Sequence, residues 1–216
     1  MIAMTAVFAF TVAAQDPQPQ DDLQSWNDVQ ITIPLAEKLD FQTQFTARLG
    51  KNVTRFNDGR FAAGLVYKPH SSFSINPFYW NIRARNAVSI FREEHRWNLR
   101  FVYRAPTKSF GLSHRSWFEY RMRGAVNSWR YRAALNFEKG LPEKFMPKAR
   151  LFITDEIFYD SILDSVSRNR FSIGVNKTLN KDYSLDVYYM RQNDGVSRPG
   201  DLHTIGTALK VTIGGK

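Results

Sequence analysis

No cysteine occurs among the 216 residues, which excludes a disulfide framework and any thiolate metal site and agrees with an oxidising envelope compartment. Four histidines, with neither HExxH nor paired-carboxylate spacing, leave metal binding without a motif. The twelve glycines never form a loop that would cradle a nucleotide, so no cofactor is expected. No window approaches the roughly 18 uninterrupted apolar residues of a spanning helix, and the mean hydropathy is −0.40. A helical membrane protein is therefore excluded. A membrane β-barrel is not, because its strands are only half apolar.

What is present is 43% hydrophobic and 14% aromatic content, enough for one folded domain with a core. The net charge of +10 raises nucleic acid as a partner. The arginines, however, are dealt to alternate positions of many segments instead of one patch, so no nucleic-acid partner is expected. Residues 1–14 form an apolar run closing on Val12-Ala13-Ala14 and read as a signal peptide, although no Lys or Arg precedes the run. Residues 15–22, with Pro17, Pro19 and three acidic residues, read as a disordered spacer. The barrel domain is expected over 23–213.

From Leu39 onward one pattern of period two repeats. Leu39, Phe41, Phe45, Ala47 and Leu49 alternate with Asp40, Gln42, Gln44, Thr46 and Arg48. Trp97, Leu99, Phe101 and Tyr103 alternate with Arg96, Asn98 and Arg100, and Trp129, Tyr131, Ala133 and Leu135 with Arg130, Arg132 and Asn136. Phe118, Tyr120 and Met122 carry the same pattern on even positions. About eleven such segments of about ten residues can be counted, and at roughly 3.3 Å per residue with about 40° of tilt each projects to about 25 Å, the height of an outer-membrane apolar band. The fold class expected is all-β: a closed antiparallel up-and-down transmembrane β-barrel of 10–12 strands. Even parity requires either ten strands, with Trp26 to Ile33 not spanning, or twelve, and twelve is favoured. Tyr79, Trp80, Trp97, Trp117, Trp129, Tyr183, Tyr188 and Tyr189 supply candidate interfacial girdles. Links near 34–38, 68–72, 105–111, 140–147 and 180–182 read as periplasmic turns. Those near Asn57-Asp58-Gly59, 83–91, 124–128, 160–167 and 193–201, including the longest, read as outer loops.

Glu94-His95-Arg96, Glu119-Tyr120-Arg121, Trp129-Arg130-Tyr131-Arg132, Asp155-Glu156-Ile157-Phe158-Tyr159-Asp160, Asn169-Arg170-Phe171 and Leu185-Asp186-Val187-Tyr188-Tyr189 recur in this order in a bacterial family. From about Trp26 to Ile213 the sequence resembles the uncharacterised outer-membrane barrels catalogued as a domain of unknown function (number 2490). The resemblance implies a barrel in the bacterial cell outer membrane, surrounded by lipid and lipopolysaccharide and inserted by the barrel-assembly machinery. It implies no activity. The sequence departs from barrels that close on an aromatic residue, since Gly214, Gly215 and Lys216 follow Ile213.

The polar face carries the chemistry. By parity the lumen receives a charge ladder of Glu94, Arg96, Arg100, Glu119, Arg121, Arg123, Arg130, Arg132, Glu138, Glu156, Arg168 and Arg170, with Arg115, Arg150 and Asp186 beside it. Glu119 and Arg121 are expected near Arg132 and Arg130 across one hairpin, as favourable cross-strand pairs. Two readings compete: a packed polar core that holds the strands in register, or a narrow anion-favouring pore in which surplus arginine attracts phosphate or small organic acids. Asp155, Glu156 and Asp160 form a weak cation candidate, with salt bridging by Glu156 the stronger reading. His114 and Ser116, two apart on one face, resemble the dyad of outer-membrane phospholipases and lipid A deacylases, with Asn127 the nearest third group. Their place at the periplasmic end argues against hydrolysis, and the expectation is a non-enzymatic barrel. A soluble periplasmic lipocalin-like carrier is the remaining alternative. Nothing in the sequence defines an oligomeric state.

Overall fold

The computed structural model describes residues 20–86, 89–124 and 126–214. The expected signal peptide, and the spacer up to residue 19, lie outside them. Eleven strands follow in order: β1 (Asp21–Ala36), β2 (Leu39–Gly50), β3 (Arg55–His70), β4 (Phe73–Arg85), β5 (Phe91–Arg104), β6 (Gly111–Arg123), β7 (Val126–Gly140), β8 (Ala149–Asp160), β9 (Ser165–Thr178), β10 (Tyr183–Asp194) and β11 (Asp201–Thr212). There is no helix among the described residues. Each strand pairs antiparallel with its neighbour in sequence, and the sheet closes by pairing β1 with β11.

Closure corrects two expectations. The count is eleven, neither ten nor twelve, and Trp26 to Ile33 does span. An odd number of up-and-down strands leaves the first and last pointing the same way, so the β1–β11 seam is parallel, running from Asp21↔Asp201 to Thr32↔Thr212. β1 also begins at Asp21, so Asp21 and Asp22, expected in the spacer, are strand residues. Strands of 12 to 16 residues exceed the expected ten. Tilted about 40°, they project to roughly 30–40 Å, so both ends stand beyond an apolar band of about 25 Å.

The start of β1 and the joins β2–β3, β4–β5, β6–β7, β8–β9 and β10–β11 lie at one end, called the first end. The links 37–38, 71–72, 105–110, 141–148 and 179–182 lie at the second end. The longest link, 141–148, is at the second end, against the expectation that outer loops would include it, so link length does not mark the orientation. Asn57-Asp58-Gly59, expected as a turn, lies inside β3. The turn is instead 51–54, where Lys51, Asn52 and Val53 all have positive φ. Their conformation is held by β1, because the Asp22 carboxylate accepts the backbone N–H groups of Lys51 at 3.0 Å and Asn52 at 2.8 Å. A side chain two strands' length away in sequence thus outweighs the local turn signal.

The two faces follow the alternation. Large apolar side chains such as Phe45, Leu135, Ile173, Val187 and Ile205 lie on the outer surface, with Trp97 60% exposed there. Of the candidate girdle residues, Tyr79, Trp97, Trp129, Tyr183 and Tyr189 are on this face, and Tyr79 packs on Trp97 with ring centroids 5.2 Å apart. Trp80, Trp117 and Tyr188 are corrections: they line the cavity inside the barrel. They sit at the parity of the charged residues, so position near a strand end was a poorer guide than face. Parity turns Tyr188 inward, and its register neighbours on both sides, Gly174 and Gly206, leave room for the ring. A Cβ on Gly206 would lie 2.1 Å from the Tyr188 ring.

Candidate functional site

The interior is organised around two glutamates. Glu119 on β6 has no solvent exposure. Its Oε2 accepts from Arg130 Nε at 2.7 Å and faces Arg96 at 3.4 Å, while Oε1 accepts from Arg132 at 2.9 Å. Register explains this: Glu119 lies directly opposite Arg130 on β7 and next to Asn98 on β5, which brings Arg96 and Arg132 in on the diagonals. Glu156 on β8 accepts both arms of the Arg132 fork, at 3.0 and 2.8 Å, and Arg115 at 2.6 Å. Arg132 therefore joins the two carboxylates, and its guanidinium lies over Trp117 at 3.8 Å and Phe158 at 4.6 Å. Planar forks between aromatic faces and carboxylates are the geometry arginine supplies and lysine does not.

Toward the first end, Glu94 takes Arg121 at 2.5 Å and Arg96 at 2.8 Å. Arg121 thus pairs with β5, and with Asp160 at 3.4 Å, although the sequence placed it near Arg130 and Arg132. Arg168 is held by Asp194 and by Ser197 Oγ at 3.0 Å. Among the described residues Arg123 reaches only the Ser128 hydroxyl, at 3.0 Å. Glu138 does not join the buried network: it sits at the second-end rim, 3.6 Å from an exposed Arg150. Asp186 pairs with Lys210 at 2.6 Å. Asp155 points outward to Asn169 while Glu156 and Asp160 are taken by arginines, so these three do not converge on a cation.

Sequence reasoning missed the opposite wall. Asp58 is buried on β3 and Arg60 half-buried beside it, bonded at 2.6 Å through Arg60 Nε, and Arg48 on β2 lies 3.5 Å over the Trp26 ring. The Arg48 Nε has no partner among the described residues. Their even parity was available, but Asn57-Asp58-Gly59 reads as a turn and takes Asp58 out of the pattern.

Two cavity arginines are held by side-chain amides. Arg100 is bonded to the amide oxygens of Asn76 and, at 3.2 Å, Gln42. Arg170 donates to Gln192 Oε1 at 2.8 Å. Neither has a carboxylate within 4.0 Å among the described residues. Local sequence explains the first case. Pro77 in the middle of β4 has no N–H to give to β3, and Asn76 Nδ2 donates to the Leu65 carbonyl at 2.5 Å instead, which leaves its Oδ1 for Arg100. Arg100 then lies 5.1 Å over Phe78 and 5.5 Å over Trp117.

These groups surround a cavity of about 870 Å³ that reaches the first end beside Leu163 and Val196. Thirteen arginines line it against six carboxylates. On the outer face, His114 Nε2 and Ser116 Oγ are 3.0 Å apart, and Ser116 Oγ is 3.0 Å from the Tyr131 hydroxyl. Asn127 is not their third group. It pairs with Met122, six residues along β6 from Ser116, or about 20 Å of strand.

The chain is a closed β-barrel with an apolar exterior and an arginine-rich interior of mostly paired charges. Over residues 23–202 the sequence matches the family described as Protein of unknown function (DUF2490), and the chain belongs to that family. It is similar in fold to the NanC porin in a rhombohedral crystal form, at 8% identity and a TM-score of 0.54, covering 84% of this chain and 93% of that one. The KdgM porin is a further likeness, at 14% identity and a TM-score of 0.46, covering 76% of this chain and 81% of that one. No curated protein matches the sequence.

Proposed function

We propose that this chain is an outer-membrane barrel whose lumen favours small anions. The exterior supports the location: a soluble carrier barrel keeps its dry face inward, whereas here the aliphatic and aromatic residues cover the outside and the charges fill the inside. The interior divides into two parts. Glu119, Glu156 and Glu94 with Arg96, Arg121, Arg130 and Arg132 form a closed network that holds β5, β6, β7 and β8 together. The remaining arginine charge faces the cavity.

The observation that carries the reading is the pair Arg100 and Arg170, each oriented by neutral amides. An amide fixes a guanidinium without neutralising it, so its other N–H groups and its full charge stay available to a solute. Phosphate or a small organic acid has the charge and the acceptor oxygens for such a site, and the cavity volume is ample for either.

Planar-bilayer recording in a potassium chloride gradient tests this. The reversal potential is expected on the chloride side. Replacing Arg100 and Arg170 together with Gln, which keeps hydrogen bonding and removes two charges, is expected to lower the chloride-to-potassium permeability ratio about fivefold or more. A silent barrel, or a ratio unchanged in the double variant, contradicts the proposal.

A further inference from the structure

Lysine and arginine are segregated along the barrel. Nine of the eleven lysines lie at the second end; the others are Lys51, at the first end, and Lys216, outside the described residues. Most of the arginines line the cavity or the first-end rim. At the second end the lysines divide again. Lys68 and Lys210 are paired with Asp40 and Asp186. Lys38, Lys108, Lys139, Lys144, Lys148, Lys177 and Lys181 have no carboxylate within 4.0 Å among the described residues, and the last five of these form one group. Glu143, in the same link as Lys144 and Lys148, turns its carboxylate to the Lys148 backbone N–H at 3.3 Å.

These five lysines occupy one sector, on adjoining strand ends. Lys139 and Lys177 are on the outward parity of β7 and β9, and Lys177 is directly opposite Ala149 at the start of β8. The 141–148 link is tied to this edge, with Leu141 N donating to Ala149 O at 2.9 Å and Thr178 N to Lys148 O at 3.0 Å. Next to the lysines lies exposed apolar surface: Phe137 and Tyr183 on the strands, Leu179 at 52% and Phe145 at 76% exposure in the links. Phe145 is presented by a hydrogen-bonded turn, its N–H and that of Met146 donating to the Pro142 carbonyl at 2.9 and 3.1 Å. Lys177 Nζ donates to the Pro147 carbonyl, which leaves its charge in place. An aromatic apex beside ammonium groups that no carboxylate neutralises is the chemistry of a lipid interface, with the ring among acyl chains and the ammonium groups at headgroup depth.

From this arrangement we propose that the sector formed by Lys139, Lys144, Lys148, Lys177 and Lys181 around Phe145 binds anionic phospholipid headgroups, of the phosphatidylglycerol class, in the leaflet around the second end. Compact ammonium groups suit a phosphodiester monoanion, which needs charge and not a fork. The second end then faces the periplasm, and the arginine-lined cavity opens outward. The inference rests on the membrane reading above.

Native mass spectrometry of the full chain released from phosphatidylcholine nanodiscs, with and without phosphatidylglycerol, tests it. The wild type is expected to retain phosphatidylglycerol over phosphatidylcholine at least tenfold, with the preference falling as salt rises. Changing Lys139, Lys144, Lys148 and Lys177 together to Gln is expected to abolish the preference, Arg at the same positions to keep it, and Lys51→Gln to leave it intact. Equal retention of the two lipids, a preference indifferent to salt, or one that survives in the four-Gln variant overturns the proposal. Stronger retention of lipid A than of phosphatidylglycerol also overturns it, by giving the surface to the other leaflet. If the four-Gln variant does not fold, the wild-type lipid ratio and its salt dependence decide. A chain that enters no bilayer contradicts the membrane reading itself, whereas normal insertion with lipid indifference contradicts this inference alone.

Discussion

Glu119→Ala is expected to cost about 3–5 kcal/mol of folding stability, enough to remove most of the folded barrel under mild denaturant. Three arginines converge on this one carboxylate, and it has no exposure. Removing it does not simply delete favourable pairs. Arg130 has no other carboxylate within 4.0 Å among the described residues, so it is left as an uncompensated buried charge, and Arg96 and Arg132 each lose one of two partners. Glu138→Ala is the matched control. Its only ion pair among the described residues is 3.6 Å long and exposed at the rim, so a change of under about 1 kcal/mol is expected. Urea titration of the refolded barrel, followed by heat-modified gel mobility, reads both. Equal midpoints for the two variants would contradict the assignment of Glu119 as the hub of the interior.

The second large effect concerns the exterior. Ile173, midway along β9 between Ile153 and Tyr189, faces outward. With hydrocarbon against it, Ile173→Arg is expected to cost about 2–4 kcal/mol, the penalty for an arginine near the bilayer midplane. Ser172→Gln, one residue away and turned into the cavity, is expected to change stability by less than about 1 kcal/mol. In a water-exposed barrel the order would reverse, since an outer arginine would be solvated. Refolding yield and urea midpoint in vesicles, measured side by side for the two variants, distinguish the cases.

Period-two alternation made much of this legible. Side chains on a strand change face at every residue, so the parity of Arg130 and Arg132 against Trp129 and Tyr131 reports inside and outside without further information. Which charges meet is a different matter. Arg121 joins Glu94 and Asp160 because of the register among β5, β6, β7 and β8, and register depends on the shear of the closed sheet, which no single segment encodes. The strand count was hidden for a related reason: parity rules assume even closure, and the parallel β1–β11 seam satisfies the backbone groups of an odd set. Local signals failed where distant contacts outweighed them, as Asp22 does in shaping the turn at 51–54. The amide-held Arg100 was legible as a lumen charge, but its lack of a carboxylate follows from Pro77 and Asn76 on the neighbouring strand.

The central claim is that lipid wets the odd positions of β7, β9 and β10. Because the chain has no cysteine, single cysteines at Leu135, Ile173 and Val187 can each carry a nitroxide label without background, alongside a lumen control at Ser172. In reconstituted vesicles the three outer labels are expected to be relaxed strongly by dissolved oxygen and weakly by a water-soluble nickel chelate, with the Ser172 label showing the opposite preference. Outer labels more accessible to the nickel chelate than to oxygen would contradict the claim.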